Sequence, residues 1–207
     1  MSANAPAESL KVAPRYTGRQ VVGWLLAAIV LTLVIGFNVR QAVRVEPKPM
    51  PVLATVPNVT LTEANGSSLQ LRAFQGKTLF IDLQPLGCAI PCEERNLQMQ
   101  EIQYWNEAVA DKVLHVTIIE GPVPTEKLKE LAKKYRSKRN WRWFTIDSTE
   151  FSSLKNVLQP DATSDLYLVD GQFQLRRRIL TTKKDDRREL MLDSRAILLE
   201  AERRRGT

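Results

Sequence analysis

The sequence predicts an α/β domain whose sheet has a mainly parallel centre and an antiparallel edge, preceded by one membrane-spanning helix. From residue 78 onward, short apolar runs typical of buried strands alternate with longer stretches of helical period. Alternation of this kind implies right-handed crossovers between parallel strands. Upstream, residues 21–39 contain no charged side chain.

The composition fits one ordinary domain with an appendage. The chain has 207 residues, of which 26% are charged and 43% hydrophobic, as in globular proteins. Its formal net charge is +7, and residues 1–49 hold six Lys or Arg against two Glu. The basic excess therefore surrounds the apolar segment, and we expect no nucleic-acid partner.

The apolar segment predicts a transmembrane anchor. A helix over residues 21–39 rises about 28 Å, close to the thickness of a hydrocarbon core, about 30 Å. Trp24 and Phe37 lie near its ends, and Arg19 and Arg40 bracket it. A cleaved signal peptide is the alternative, but its apolar region is shorter and "FNVRQAVRVEP" lacks a small-residue cleavage pattern.

Four segments follow along the chain. We expect a cytoplasmic tail over 1–20, a transmembrane helix over 21–39, a proline-rich irregular spacer over 40–57 and a folded domain over 58–207. Basic residues on both sides of the anchor leave its orientation open. Redox-active cysteines favour an oxidising compartment. We therefore predict a single-pass protein of a bacterial inner membrane, with its domain in the periplasm.

The elements of the domain can be read in order. "VTLTEANGSSLQLRAF" predicts a β-hairpin around Asn65-Gly66. After it we expect a strand from Thr78 to Leu83, a helix from Pro91 to Ala110, a strand in "KVLHVTIIE", a helix in "PTEKLKELAKKY", a strand in "WRWFTID", a helix in "EFSSLKNVL", two strands around the turn Asp170-Gly171, and a helix from Asp185 to Arg205. Leu97, Ile102, Trp105 and Val109 can share one face of the first helix, and Thr125 is a candidate N-cap for the second.

This element order is that of a thioredoxin-like fold with an N-terminal β-hairpin extension. Both cysteines, Cys88 and Cys92, fall on the loop after a central strand and at the start of the next helix. Pro91 suits the first helical position, and a helix N-terminus stabilises a thiolate. Glu93 and Glu94 would oppose that effect.

The cysteine pair admits three interpretations. Cys88 and Cys92 could exchange disulfides as catalytic residues, could hold Cu(I) as soft metal ligands, or could form a structural disulfide. A five-residue loop constrains little of the unfolded chain, so a purely structural bond is weakly supported.

From about Pro57 onward the chain resembles the Sco (SenC-like) family of membrane-anchored, thioredoxin-like proteins. The resemblance rests on the single anchor, "NGSSLQLRAFQGKTLFIDL", the Cys-x-x-x-Cys of "CAIPC" and "LYLVDGQF". It covers about three quarters of the chain. It implies a role in maturing the copper centre of cytochrome c oxidase, with the inner membrane and a respiratory oxidase subunit or another assembly protein as partners.

Two departures from that family concern the metal site. The family usually has proline after its second cysteine, where this chain has Glu93. Its copper-binding histidine would fall near Ala162, and no histidine is there. The single histidine, His115, reads as a strand residue with a hydrogen-bonded ring. A third copper ligand would have to be Met99, Met50 or a partner's side chain.

Two further features have structural explanations. Asp82 is either a buried proton acceptor for thiol exchange or a solvent-facing strand residue. "KKYRSKRNWRW" is the end of an amphipathic helix leading into a strand, and the "RRR" runs at 176–178 and 203–205 could meet anionic lipid.

The sequence thus favours a thiol–disulfide oxidoreductase that needs no cofactor, with copper as a candidate ligand. The alternative is a non-catalytic assembly subunit that keeps the fold and has lost the metal site.

Overall fold

The computed structural model describes residues 18–42, 50–158, 166–179 and 184–206. The chain divides into two units, residues 1–47 and 48–207. Most of the predicted tail, part of the predicted spacer and the segment around Ala162 lie outside the described residues.

The first unit contains α1, Gly18–Ala42, which includes the whole predicted anchor segment. Its large apolar side chains from Val22 to Ile35 are all at least half exposed. The Thr32 hydroxyl donates a hydrogen bond to the Ala28 carbonyl at 2.8 Å. Among the residues that the structure describes, no helix has both the length and the apolarity to span a bilayer. The predicted transmembrane helix is thus not supported by the structure.

The second unit is built on a mixed sheet. Its described strands are β1 Ala54–Thr55, β2 Thr60–Glu63, β3 Ser68–Gln70, β4 Thr78–Gln84, β5 Val113–Glu120, β6 Trp141–Ile146, β7 Leu166–Val169 and β8 Gln174–Ile179, in the spatial order β1-β8-β7-β4-β5-β6-β2-β3. β4, β5 and β6 are parallel, and the other pairs are antiparallel. The predicted parallel centre is confirmed.

In the described part of this unit, four α-helices accompany the sheet: α2 Ile90–Trp105, α3 Thr125–Lys134, α4 Ser148–Leu158 and α5 Lys184–Gly206. Two apolar clusters fill the interior. Leu79 and Ile81 of β4 belong to one cluster, and Phe80 between them belongs to the other. Since successive strand residues point to opposite faces, β4 is packed on both sides and lies at the centre of the fold.

The hairpin is confirmed, with β2 and β3 antiparallel and Gly66 at a φ of +83° in the turn. β1 was not predicted. Ala54–Thr55 pairs with Gln174 and Leu175 of β8, and Val56 is buried, although four prolines indicated an irregular spacer through residue 57. A strand of two residues can form between prolines, because only those two residues have to pair with the neighbouring strand.

The first helix of the domain differs from its prediction. α2 ends at Trp105, and a separate 3-10 turn, Glu107–Val109, follows. Leu97 is 54% exposed, so the prediction that it shares a face with Ile102 is wrong. The buried residues of α2 are Cys92, Asn96, Met99, Ile102 and Gln103, and Trp105 and Val109 pack against the same cluster as Ile102. Thr125 is also not a cap, because α3 starts after Pro124 without a side-chain cap.

The basic and aromatic stretch is structural, as predicted. Trp141 and Trp143 are buried and stacked at 5.2 Å, so their rings are not available as stacking platforms. Arg176 is buried and paired with Asp170 and Glu200, contrary to the suggestion that the run at 176–178 meets lipid.

Candidate active site

The cysteines lie where the central strand gives way to a helix. β4 ends at Gln84, and a short loop leads into α2 at Ile90. The Cys88 amide donates to the Pro85 carbonyl at 3.1 Å, and Gly87 adopts a φ of +76°. A side chain at that φ would be strained, so glycine allows the loop to fold back on the helix.

Cys88 and Cys92 form a disulfide with their Cα atoms 5.8 Å apart. The loop thus brings together two residues that a regular helix would hold too far apart. The two sulfurs differ in accessibility: Cys88 is half-buried, whereas Cys92 is only 3% exposed. An external thiol can therefore reach Cys88 more readily.

Beside the disulfide lies a cation that the sequence reading missed. Arg95 places Nη2 2.9 Å from Cys92 Sγ and 3.8 Å from Cys88 Sγ. Its Nε donates to Asp82 Oδ1 at 2.9 Å. Asp82 is fully buried, so the solvent-facing alternative is wrong. The signal was in the sequence, because residues three apart on a helix share a face.

A lysine on α3 partly offsets the negative charge in the first turn of α2. Glu93 accepts a hydrogen bond from Lys134 at 2.6 Å, across to α3. That hydrogen bond raises the pKa of Lys134, and the lysine offsets the charge of Glu93. The predicted repulsion of a thiolate by Glu93 is correspondingly reduced.

Two apolar side chains flank the accessible cysteine. Leu86 is 65% exposed and Ile90 is 71% exposed. The Leu86 amide donates to Glu120 at 3.3 Å, which ties the loop to the end of β5. A loop fixed in this way, with exposed apolar side chains close in sequence to an accessible sulfur, can dock a protein surface.

His115 does not join this site. It is fully buried on β5, where its ring stacks on Phe80 and its Nδ1 lies 3.2 Å from Met99 Sδ. Burial lowers the pKa of His115 to about 3. The predicted role as a strand residue is confirmed, and the contact also places Met99 in the core. Met50 packs at the margin of the same cluster.

The donor set for copper is incomplete in what the structure describes. Cys88 and Cys92 supply two soft sulfurs. No group of three or more His, Cys, Asp or Glu able to hold a metal occurs among the described residues. The position near Ala162 lies outside them.

Comparison with solved structures shows the fold. BsSco, a member of the Sco family of cytochrome c oxidase assembly proteins with a disulfide switch, matches at a TM-score of 0.60 and 17% identity, over 71% of this chain and 95% of its own. Arabidopsis thaliana ScoI with copper bound matches at 0.55 and 15%, over 70% and 99%. The thioredoxin domain of a Bacteroides vulgatus thiol–disulfide oxidoreductase matches at 0.51 and 17%, over 70% and 98%.

No family model matches the chain. No curated protein matches it either. The evidence of similarity is therefore structural, and it agrees with the resemblance found in the sequence. The domain has the thioredoxin-like fold of the Sco structures, with Cys88 and Cys92 bonded at the end of its central strand.

Proposed function

We propose that this protein is a membrane-tethered, Sco-like thiol–disulfide oxidoreductase that assists the maturation of a respiratory oxidase. The observation that carries the proposal is the asymmetric disulfide, with Cys88 accessible and Cys92 buried at the start of α2. Exchange catalysts need one sulfur that a partner can reach and one that resolves the mixed disulfide.

The chemistry follows from that asymmetry. A partner thiol loses its proton to solvent, and its thiolate attacks Cys88 Sγ. The Cys88–Cys92 bond breaks, and its electron pair passes to Cys92 Sγ, leaving a mixed disulfide at Cys88. A second partner thiolate then attacks the partner sulfur of that bond and releases Cys88 as a thiolate. The partner dithiol is oxidised by two electrons, and the reverse sequence reduces a partner disulfide.

The partner is a protein by this proposal, because Leu86 and Ile90 present apolar surface beside Cys88. A respiratory oxidase subunit or another assembly protein is the partner we favour. Support comes from the shared fold with BsSco, whose family serves cytochrome c oxidase assembly.

Membrane attachment is part of the proposal and rests on the sequence. Residues 21–39 carry no charge, and α1 covers them. We expect the full chain to stay with the membrane fraction of a bacterial cell after alkaline extraction, and a protease outside the inner membrane to remove the domain. Release by alkali would contradict the anchor.

Copper handling is a second candidate, favoured by the two adjacent sulfurs and by the copper-bound ScoI of the same fold. The described residues supply no complete donor set, so a partner would have to complete the site. Titration of the reduced chain with Cu(I) against a competing chelator tests it. Binding lost in both Cys88→Ser and Cys92→Ser would support copper handling.

The decisive experiment is the midpoint potential of the cysteine pair, measured by equilibration in thiol buffers followed by alkylation. Exchange catalysts lie between about −270 and −120 mV, and structural disulfides below about −300 mV. We expect the higher range. A value below about −300 mV would favour the non-catalytic assembly subunit.

A further inference from the structure

Arg95 connects the disulfide to the buried interior of the domain. It follows Cys92 by three residues on α2, so both side chains lie on the same side of the helix. Its Nη2 donates to Cys92 Sγ at 2.9 Å and lies 3.8 Å from Cys88 Sγ. The closer contact is with the buried sulfur, which is the one that leaves when a partner attacks Cys88.

Hydrogen bonds to β4 hold the Arg95 guanidinium in place. Nε pairs with Asp82 Oδ1 at 2.9 Å, and Nη2 also reaches the Leu83 carbonyl at 3.2 Å. Both acceptors belong to β4. The Arg95 side chain is only 12% exposed, and that of Asp82 is fully buried. Electrostatic interactions in such surroundings are stronger than in water.

Asp82 is itself fixed by two polar side chains. Gln84 Nε2 donates to Asp82 Oδ2 at 2.5 Å and to Asn96 Oδ1 at 2.8 Å. Gln84 and Asn96 are both buried. Each carboxylate oxygen of Asp82 therefore accepts a hydrogen bond, and side-chain hydrogen bonds connect Asn96 through Gln84 and Asp82 to Arg95.

We propose that Arg95 is a catalytic residue that stabilises the negative charge on Cys92 Sγ as the disulfide opens, with Asp82 as the positioning residue that holds it. This inference rests on the proposed function. While the disulfide is closed, Arg95 and Asp82 neutralise each other and the sulfurs are uncharged. Reduction places the bond's electron pair on a sulfur 2.9 Å from a guanidinium. The charge-assisted hydrogen bond strengthens in that step.

Two consequences follow for the reaction. Departure of Cys92 becomes faster, because a stabilised thiolate is a better leaving group. The equilibrium also moves toward the reduced pair, because the contact is stronger in the reduced state than in the oxidised one. A purely structural role for Arg95, tying α2 to β4, predicts neither change.

The test uses the full-length chain in detergent. Arg95→Met removes the charge and keeps most of the volume, whereas Arg95→Lys keeps a charge on a different head group. The equilibrium constant for reduction by dithiothreitol and the rate of that reduction are measured for each. We expect both to fall about tenfold or more in Arg95→Met and to recover partly in Arg95→Lys. A tenfold change in the constant corresponds to about 30 mV.

Asp82→Asn provides a second, opposite signature. It keeps an oxygen that can accept from Arg95 but removes the negative charge that opposes a thiolate. We expect its equilibrium to shift toward the reduced pair. Lys138→Met is the matched control, because Lys138 is an exposed cation that pairs with Glu107 at 2.6 Å, beyond the end of α2 that is remote from the cysteines. It should leave both quantities within about twofold of wild type.

The outcomes separate the two proposals. If the wild-type chain exchanges readily and Arg95→Met and Arg95→Lys both match it, the role of Arg95 is wrong and the proposed function stands. If the wild-type disulfide resists thiol buffers throughout, both proposals fail. If Arg95→Met does not fold, an unchanged Arg95→Lys together with an unchanged Asp82→Asn would overturn the role of Arg95.

Discussion

The imidazole of His115 stacks on the ring of Phe80, with centroids 5.0 Å apart and planes within 12°. Its Nδ1 contacts Met99 Sδ at 3.2 Å, and its Nε2 has no hydrogen-bond partner among the described residues. Burial is the cause of its low pKa, about 3 against 6.5. The folded protein therefore holds a neutral histidine where the unfolded chain holds one that titrates normally.

Stability should consequently fall in mild acid. Below pH 6.5 the unfolded chain binds a proton that the folded chain does not, so the free energy of unfolding decreases by about 1.4 kcal/mol per pH unit, from about pH 6.5 down to about pH 3. Urea unfolding between pH 7 and pH 5 measures this, because His115 is the only histidine in the chain. In His115→Leu the slope over that range should flatten. An equal slope in both proteins would contradict the assignment.

The two cysteines should react at different rates once reduced. We expect Cys88 in Cys92→Ser to be alkylated by iodoacetamide about tenfold faster than Cys92 in Cys88→Ser, because reactivity requires access and Cys92 is 3% exposed. In denaturant the two rates should converge, which controls for local sequence. Faster alkylation of Cys92 in the folded protein would reverse the proposed order of attack.

The central part of the fold was predictable because its signals are local. β4 and β5 are mostly apolar runs, and Leu128 and Leu131 of α3 recur at helical spacing with Tyr135 at its C-cap. α2 was harder, since polar Asn96 and Gln103 lie on its buried face and apolar Leu97 faces outward. Apolar periodicity therefore misplaced Leu97, whereas Ile102, Trp105 and Val109 do lie in or against the core.

The buried ion pairs of Arg176 should contribute far more to the stability of the fold than the partly exposed pairs of Arg177. Arg176 pairs with Asp170 at 2.8 Å and Glu200 at 2.9 Å, and its side chain is 2% exposed. Arg176→Met leaves a buried carboxylate without its cation, so we expect a loss of about 3–5 kcal/mol in the free energy of unfolding. Arg177→Met breaks partly exposed pairs with Glu189 and Asp193 and should cost about 1 kcal/mol or less. Chemical denaturation compares them, and similar losses would refute the distinction.

Substitutions at two turn glycines should destabilise the protein for different reasons. A Cβ on Gly171 would lie 2.8 Å from the Gly76 carbonyl carbon, so Gly171→Ala and Gly171→Asn should each cost about 1–3 kcal/mol through overpacking. Gly66 has open space but a φ of +83°. Gly66→Ala should cost about 1–2 kcal/mol, and Gly66→Asn less, because asparagine tolerates that conformation. Thermal melts of the four variants test this, and rescue by asparagine at residue 171 would contradict it.

The candidate site was predictable only in part. Cys88, Cys92 and Pro91 mark a strand-to-helix junction by their spacing alone. Whether Asp82 faced inward depended on which side of β4 packs against α2, and that is fixed by the fold as a whole. Arg95 becomes meaningful only once Asp82 is known to be buried beside it. β1 could not be predicted either, because a strand of two residues is too short to show a periodic pattern.

The outer strands β1 and β3 have a consequence for how the protein behaves when crowded. In the described sheet they are two and three residues long, and prolines at 51 and 57 flank the first. A free strand edge can template pairing with another chain, and short edges interrupted by proline offer little backbone for that. The long apolar strands β4 and β5 are kept inside. The sheet is thereby protected against edge-to-edge aggregation, even where many copies share a small volume.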